Sequence, residues 1–229
     1  MAEIIEIARV ALHDQVLARL RTLLIEGHIA PGAKLNEREL CALLRVSRTP
    51  LREAIKLLAS EGMVDLLPNR GAVAVKLTEA DILNTFEVLA GLEAMAGELA
   101  AQRMSEEERV EVRAMHFEML ASFTRRHLSN YYRLNALIHA AINRAARNPV
   151  LTSTYQTINA RVQSLRFRTN QDEAKWSRAM QEHEAMIQAL QARDGAAMRQ
   201  VMVTHLMNKR DTIIDLMRAA ESLPLSASS

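Results

Sequence analysis

Three histidines stand at helical spacing among apolar residues on three separate stretches of the chain. His139 lies beside Ile138 and three residues before Ile142. His183 is three residues after Met180 and four before Ile187. His205 is four after Val201 and three after Met202. Each therefore points to the buried side of its helix. Asn135 is four residues before His139, one turn earlier on the same face. Three imidazoles and an oxygen donor suit a divalent transition metal. Three hydrogen-bonded core histidines would leave the same pattern, and spacing alone weighs the two readings equally. His13, His28, His116 and His127 show no partner spacing and read as structural or surface groups. A second constellation has different chemistry. Ser47, Arg48, Thr49 and Arg52 gather at one predicted helix start, and Arg70 sits at a predicted turn tip. Arginine forks bind guanine edges, and serine and threonine hydroxyls suit phosphates.

The frame that must position these groups is helical. The chain has 229 residues, 49% hydrophobic and 24% charged, the balance of a globular protein rather than a disordered one. Seven glycines and five prolines are too few for a many-stranded fold. No apolar run reaches the roughly 20 residues that span a bilayer. Glu3 and Glu6 near the start do not suit a secretory signal. The single cysteine, Cys41, cannot close an internal disulfide and fits a reducing cytoplasm. A net charge of +2 does not announce a nucleic-acid binder by bulk electrostatics.

Glycine and proline punctuate the first third most densely. Val16, Leu20, Leu23 and Leu24 mark one amphipathic helix, closed by Gly27 and an Ala30-Pro31-Gly32 turn. Asn36 can cap a short second helix with Leu40, Leu43 and Leu44 inside. Ser47 or Thr49 can cap a third, where Pro50 fits only the first turn and Leu51, Ala54, Ile55 and Leu58 are inward. Two strand-like runs, 64–67 and 72–75, flank a Pro68-Asn69-Arg70-Gly71 turn. This order predicts a winged helix-turn-helix over residues 1–77. Behind it, residues 78–221 predict an antiparallel bundle of six or seven helices, with Thr78/Asp81 and Ser105/Glu108 as capping boxes. The whole fold is mainly α, and residues 222–229 read as a loose tail.

The segments 32–40, 46–54, 61–64 and 68–71 occur in the order and spacing that resemble the DNA-binding domain of GntR-family transcription regulators. That resemblance implies DNA contacts from Arg38, Ser47, Arg48, Thr49 and Arg52, with Gly71 in the wing and Arg38 serving the phosphate backbone; Arg70, by its place at the wing tip, could enter the minor groove. It also implies a homodimer on a near-palindromic double-stranded operator. Residues 80–215 resemble the FCD effector domain of the fatty-acid-regulator-like branch. Asn135, His139, His183 and His205 match that domain's metal ligands one by one. The resemblance implies a divalent ion, zinc first with nickel or manganese as alternatives, and a small organic acid as effector. Two departures stand out: Asn135 replaces the commoner aspartate, and Leu89 stands where many relatives carry arginine. Arg133, Arg161 and Arg166 are candidates for a second anionic group of the effector, since arginine forks match carboxylates. The expected protein is a metabolite-responsive repressor.

Two other classes use the same histidines. A metal-dependent hydrolase also holds zinc with three histidines and an open position, but needs a general base. Glu182 and Glu184 flank His183 yet point about 100° away from it, and no HExxH run is present. A purely structural metal in a DNA-binding scaffold is the third class.

Overall fold

The computed structural model describes residues 9–168 and 173–222. The chain divides into two compact units that part between Leu77 and Thr78. The tail expected at 222–229 lies outside the described residues from 223 onward.

In the first unit, α1 (Arg9–Ile25), α2 (Glu37–Leu44) and α3 (Arg48–Ser60) precede strands β1 (Val64–Leu67) and β2 (Gly71–Ala74). The core is the expected apolar set: Val16, Leu20 and Leu24 of α1 against Leu51, Ala54, Ile55 and Leu58 of α3, all nearly inaccessible. Arg21 locks the end of α3 to α1 through both oxygens of Glu61, at 2.7 and 2.8 Å. The strands pair antiparallel, Val64 opposite Ala74 and Leu67 opposite Gly71. Asn69 and Gly71 take positive φ in the turn, as a tight reversal requires. A third piece of chain joins the ribbon. Leu35 donates to the Ala72 carbonyl at 2.8 Å, Gly32 to the Ala74 carbonyl at 2.8 Å, and Lys34 bridges Val73.

Two local expectations need correction. Leu43 is 64% exposed, so α2 turns only Leu40 fully into the core. Its eight residues bury one narrow edge, and the Leu43 side chain lies off it. Ser47 occupies the position before α3 with extended backbone, but its hydroxyl makes no capping hydrogen bond. Asn36 does cap α2, accepting from the Arg38 and Glu39 amides.

The second unit contains six described helices: α4 (Glu79–Arg103), α5 (Glu106–Thr124), α6 (Leu128–Ala145), α7 (Pro149–Arg168), α8 (Glu173–Gln191) and α9 (Gly195–Ser222). Both capping boxes form, at Thr78 with Asp81 and at Ser105 with Glu108. The main core joins α4, α5, α6, α8 and α9, with Trp176 set edge-on against Phe123 and Tyr131 at 4.9 and 5.0 Å. The principal pairing is α4 along α9, and Gly97 permits it. A Cβ there would stand 2.9 Å from Met198 Cγ and 3.2 Å from Met202 Cγ. Gly91, two turns earlier, has open space around it. Alanine gains about 1 kcal/mol of helix propensity at either position, but overpacking costs about 1–3 kcal/mol at the crowded one. Gly91→Ala is therefore expected to raise the denaturant midpoint and Gly97→Ala to fall below it by about 1–3 kcal/mol. Equal midpoints would show that the two helices do not approach closely.

Candidate functional site

Helix α6 carries Asn135 and His139, α8 carries His183, and α9 carries His205. All four are buried, the histidines at 0–2% exposure. Three helices thus deliver three imidazoles to one place. Their ring centroids form a near-equilateral triangle with sides of 5.1, 5.3 and 5.3 Å. One ring nitrogen from each lies within 4.8 Å of the other two.

The partners of these rings set their direction. His139 Nδ1 meets a carboxylate oxygen of Glu93, which is wholly buried on α4. His205 Nδ1 meets Glu182 at 2.6 Å, and Asn208 donates to the other Glu182 oxygen at 2.6 Å. A carboxylate accepts, so Nδ1 carries the proton in both rings and the lone pair sits on Nε2. The Nε2 atoms of His139 and His205, and both nitrogens of His183, are buried with no hydrogen-bond partner among the described residues. Lone pairs facing one another in a buried core cannot satisfy each other. A cation between them can, and carboxylate-backed imidazoles are how proteins usually present nitrogen to metals. The residues present therefore fit a divalent ion.

Burial also favours the neutral form of His183 and His205. It pushes His183 well below the usual histidine range, with the neighbouring His205 and His139 adding to the effect. Burial takes His205 down to about 4 against the opposing pull of Glu182. Burial alone would make Glu93 hard to ionise, but His139 and Arg166 overcome it and hold the carboxyl at about 2. Arg166, 4% exposed on α7, donates to Glu93 at 3.2 Å and to Asn159 at 2.7 Å.

Of the three arginines expected near the histidines, only Arg166 reaches this network. Arg133 is exposed and bonded to Asn130 on its own helix at 2.9 Å. Arg161 is exposed, with its charge acting on Asp81 at the start of α4. Neither touches the histidine centre, because each stands on the solvent side of a helix whose opposite side is buried. Leu89 is fully buried in the apolar face of α4. Glu182 and Glu184 are both engaged by histidines, Glu184 through buried His116 at 2.9 Å, and neither serves as a free base. The one sequence sign of Glu93 was a lone acid on an otherwise apolar helix face, four residues after Leu89 and four before Gly97.

In the first unit, Arg38, Ser47, Arg48, Thr49, Arg52, Arg70 and Gly71 are all exposed. Four of them cluster at the amino end of α3, opposite its buried stripe. The Ser47 hydroxyl is left unspent by the helix. Arg52 is held from α2: its Nε lies 3.0 Å from each oxygen of Glu37.

Known proteins repeat this plan. Residues 84–208 match the FCD domain family, and residues 12–73 match the bacterial regulatory proteins of the gntR family. The chain is 25% identical over 201 residues to the transcriptional repressor RspR of Escherichia coli K12, spanning 88% of each chain. It is 28% identical over 219 residues to the gluconate operon repressor of Bacillus subtilis, spanning 93% of this chain and 89% of the other. In fold it resembles Escherichia coli McbR/YncC, with a TM-score of 0.81 at 20% identity over 90% of this chain and 98% of that one. A regulator from Rhodococcus sp. RHA1 gives 0.73 at 21% identity over the same shares. FCD domains often bind metal, and the histidine triad here could hold one. No described helix is long and apolar enough to cross a membrane. Its two halves and its relatives are those of DNA-binding regulators, not enzymes, and the chain belongs to the GntR family of transcription regulators, in the branch with an FCD domain.

Proposed function

We propose that this regulator is a homodimeric repressor whose second unit binds a divalent metal ion, zinc first, and through it a small organic acid that alters operator affinity. The carrying observation is the convergence of three buried imidazoles whose inward nitrogens have no hydrogen-bond partner among the described residues. His139, His183 and His205 would hold the ion, with Asn135 as oxygen donor one turn before His139. These ligands are all neutral, so a bound divalent ion keeps its full charge and offers open positions to a carboxylate. Glu93 and Glu182 orient two of the rings, and Arg166 anchors Glu93. In the first unit, Arg48, Ser47, Thr49 and Arg52 would face the major groove, Arg38 the phosphates, and Arg70 with Gly71 the wing contact.

Acid and operator would each change the other's affinity by one factor, because coupling between sites is reciprocal. The repressor direction rests on relatives that carry that name. Zinc at one hundred times its dissociation constant is expected to add about 2.7 kcal/mol to the stability of the native protein. His183→Ala should lose this increment, as read by thermal unfolding with and without chelator. Titrating carboxylic acids into a metal-loaded operator complex tests the effector. Unchanged operator affinity with every acid would leave the ion a purely structural role.

A further inference from the structure

The turn between α2 and α3 holds an arginine in a backbone conformation that suits glycine. Arg45 has φ 54° and ψ 45° where α2 ends, and the next amide, from Val46, donates to the Cys41 carbonyl at 3.1 Å. A left-handed residue at such a helix end is most often glycine, because a Cβ there crowds the following carbonyl. The second unit does the same just past α6 and α8, at Arg147 and Arg193. There the side chain is engaged within the protein: Arg147 meets both oxygens of Glu108 at 2.7 Å, and Arg193 the Gln102 carbonyl at 3.3 Å. Arg45 is exposed, and its guanidinium has no partner among the described residues. We infer that Arg45 is a further DNA contact of this chain: its guanidinium binds a backbone phosphate at the edge of the groove that α3 enters. The inference rests on the proposed reading of α3 as the groove-facing helix and adds a residue to it.

Distance supports it. Three residues of chain span at most about 11 Å, so Arg45 lies within that reach of Arg48, the first residue of α3. The major groove is about 12 Å wide and is walled by phosphates on both sides. A cation so close to a base-reading residue meets that wall, and an arginine fork matches phosphate geometry. Charge supports it too. The acids on either side along the chain are already taken, Glu39 by Asn36, Glu37 by Arg52 and Glu53 by Lys56, and none offsets Arg45. Backbone strain of this kind gathers where a ligand supplies the compensating contact.

The test uses the full-length protein and a random-sequence duplex across a salt series, because phosphates are common to every sequence. Arg45→Gly should bind roughly fivefold more weakly per bound subunit at about 0.15 M salt, and the slope of log affinity on log salt should fall by about 0.9 per subunit. Arg45→Lys keeps the charge and should keep most of that slope. Glycine relieves the turn, so Arg45→Gly should also raise the melting temperature of the first unit by roughly 4–8 °C. Affinity lost together with a lower melting temperature would make Arg45 a helix stop and not a contact, and overturns the inference. So does an unchanged slope in Arg45→Gly where Arg38→Ala lowers it, and the proposed DNA-facing surface then stands. A slope that neither substitution moves sinks that surface and the inference together.

Discussion

Replacing Glu93 with alanine is expected to cost the second unit about 3–5 kcal/mol of stability, because it leaves a buried cation without its carboxylate. Glu93 is wholly inaccessible and Arg166 nearly so, with 3.2 Å between their charged ends. An exposed pair of the same length would contribute at most about 1 kcal/mol. Here neither partner can return to water without opening the bundle. Asn159 would still accept from Arg166 at 2.7 Å, so the loss should fall toward the lower end. For a chain of this size, each kcal/mol moves the melting temperature by roughly 2–4 °C.

The same carboxylate orients His139, which separates two readouts. Glu93→Gln keeps the volume and can still accept from His139 but cannot offset Arg166. It should be milder in stability than Glu93→Ala, and metal affinity should fall roughly 10- to 100-fold, as when the partner of a ligand histidine is removed. Adding Arg166→Met to Glu93→Ala removes the stranded charge and should recover part of the stability without recovering the metal. A Glu93→Ala protein that melts within a degree or two of the parent would show that the ion pair is not buried in solution.

Periodicity made the histidines legible but not what directs them. His139, His183 and His205 each sit at a fixed offset from apolar neighbours on their own helix, and a 3.6-residue repeat reports that much. Glu93, 46 residues before His139, and Glu182, 23 before His205, become partners only through helix packing. Arg166 drew notice for its charge, but whether an arginine faces core or solvent turns on 100° of helix rotation. Arg161, beside the buried Val162, went outward. In the first unit the apolar stripes of α1 and α3, the Asn36 cap and the wing turn were readable, being local. The segment at 32–35 was not, because its strand character comes from hydrogen bonds to residues almost forty positions away. Leu43 was misplaced because an eight-residue helix is too short for periodicity to locate its buried edge.

Arg48→Ala is expected to weaken operator binding by about 1–3 kcal/mol, roughly five- to 150-fold, and to relax preference at one base pair of each half-site. Arg48 is the first residue of α3, exposed beside the unspent Ser47 hydroxyl, where a helix end enters a groove. Arg38→Ala should behave differently. In its proposed role as a phosphate contact it carries no sequence information, so its loss should weaken binding to all duplexes about equally and reduce the salt slope by about one. Arg52 falls between these cases, since Glu37 clamps its Nε from α2. That clamp fixes the plane of the guanidinium, so Glu37→Gln should lower discrimination between operators while removing a negative charge from the proposed DNA-facing side. Overall affinity for random duplex should therefore rise slightly as specificity falls. Binding to a selected operator and to random DNA across a salt series measures all three variants. If Arg48→Ala and Arg38→Ala give the same uniform loss, the amino end of α3 is not reading bases.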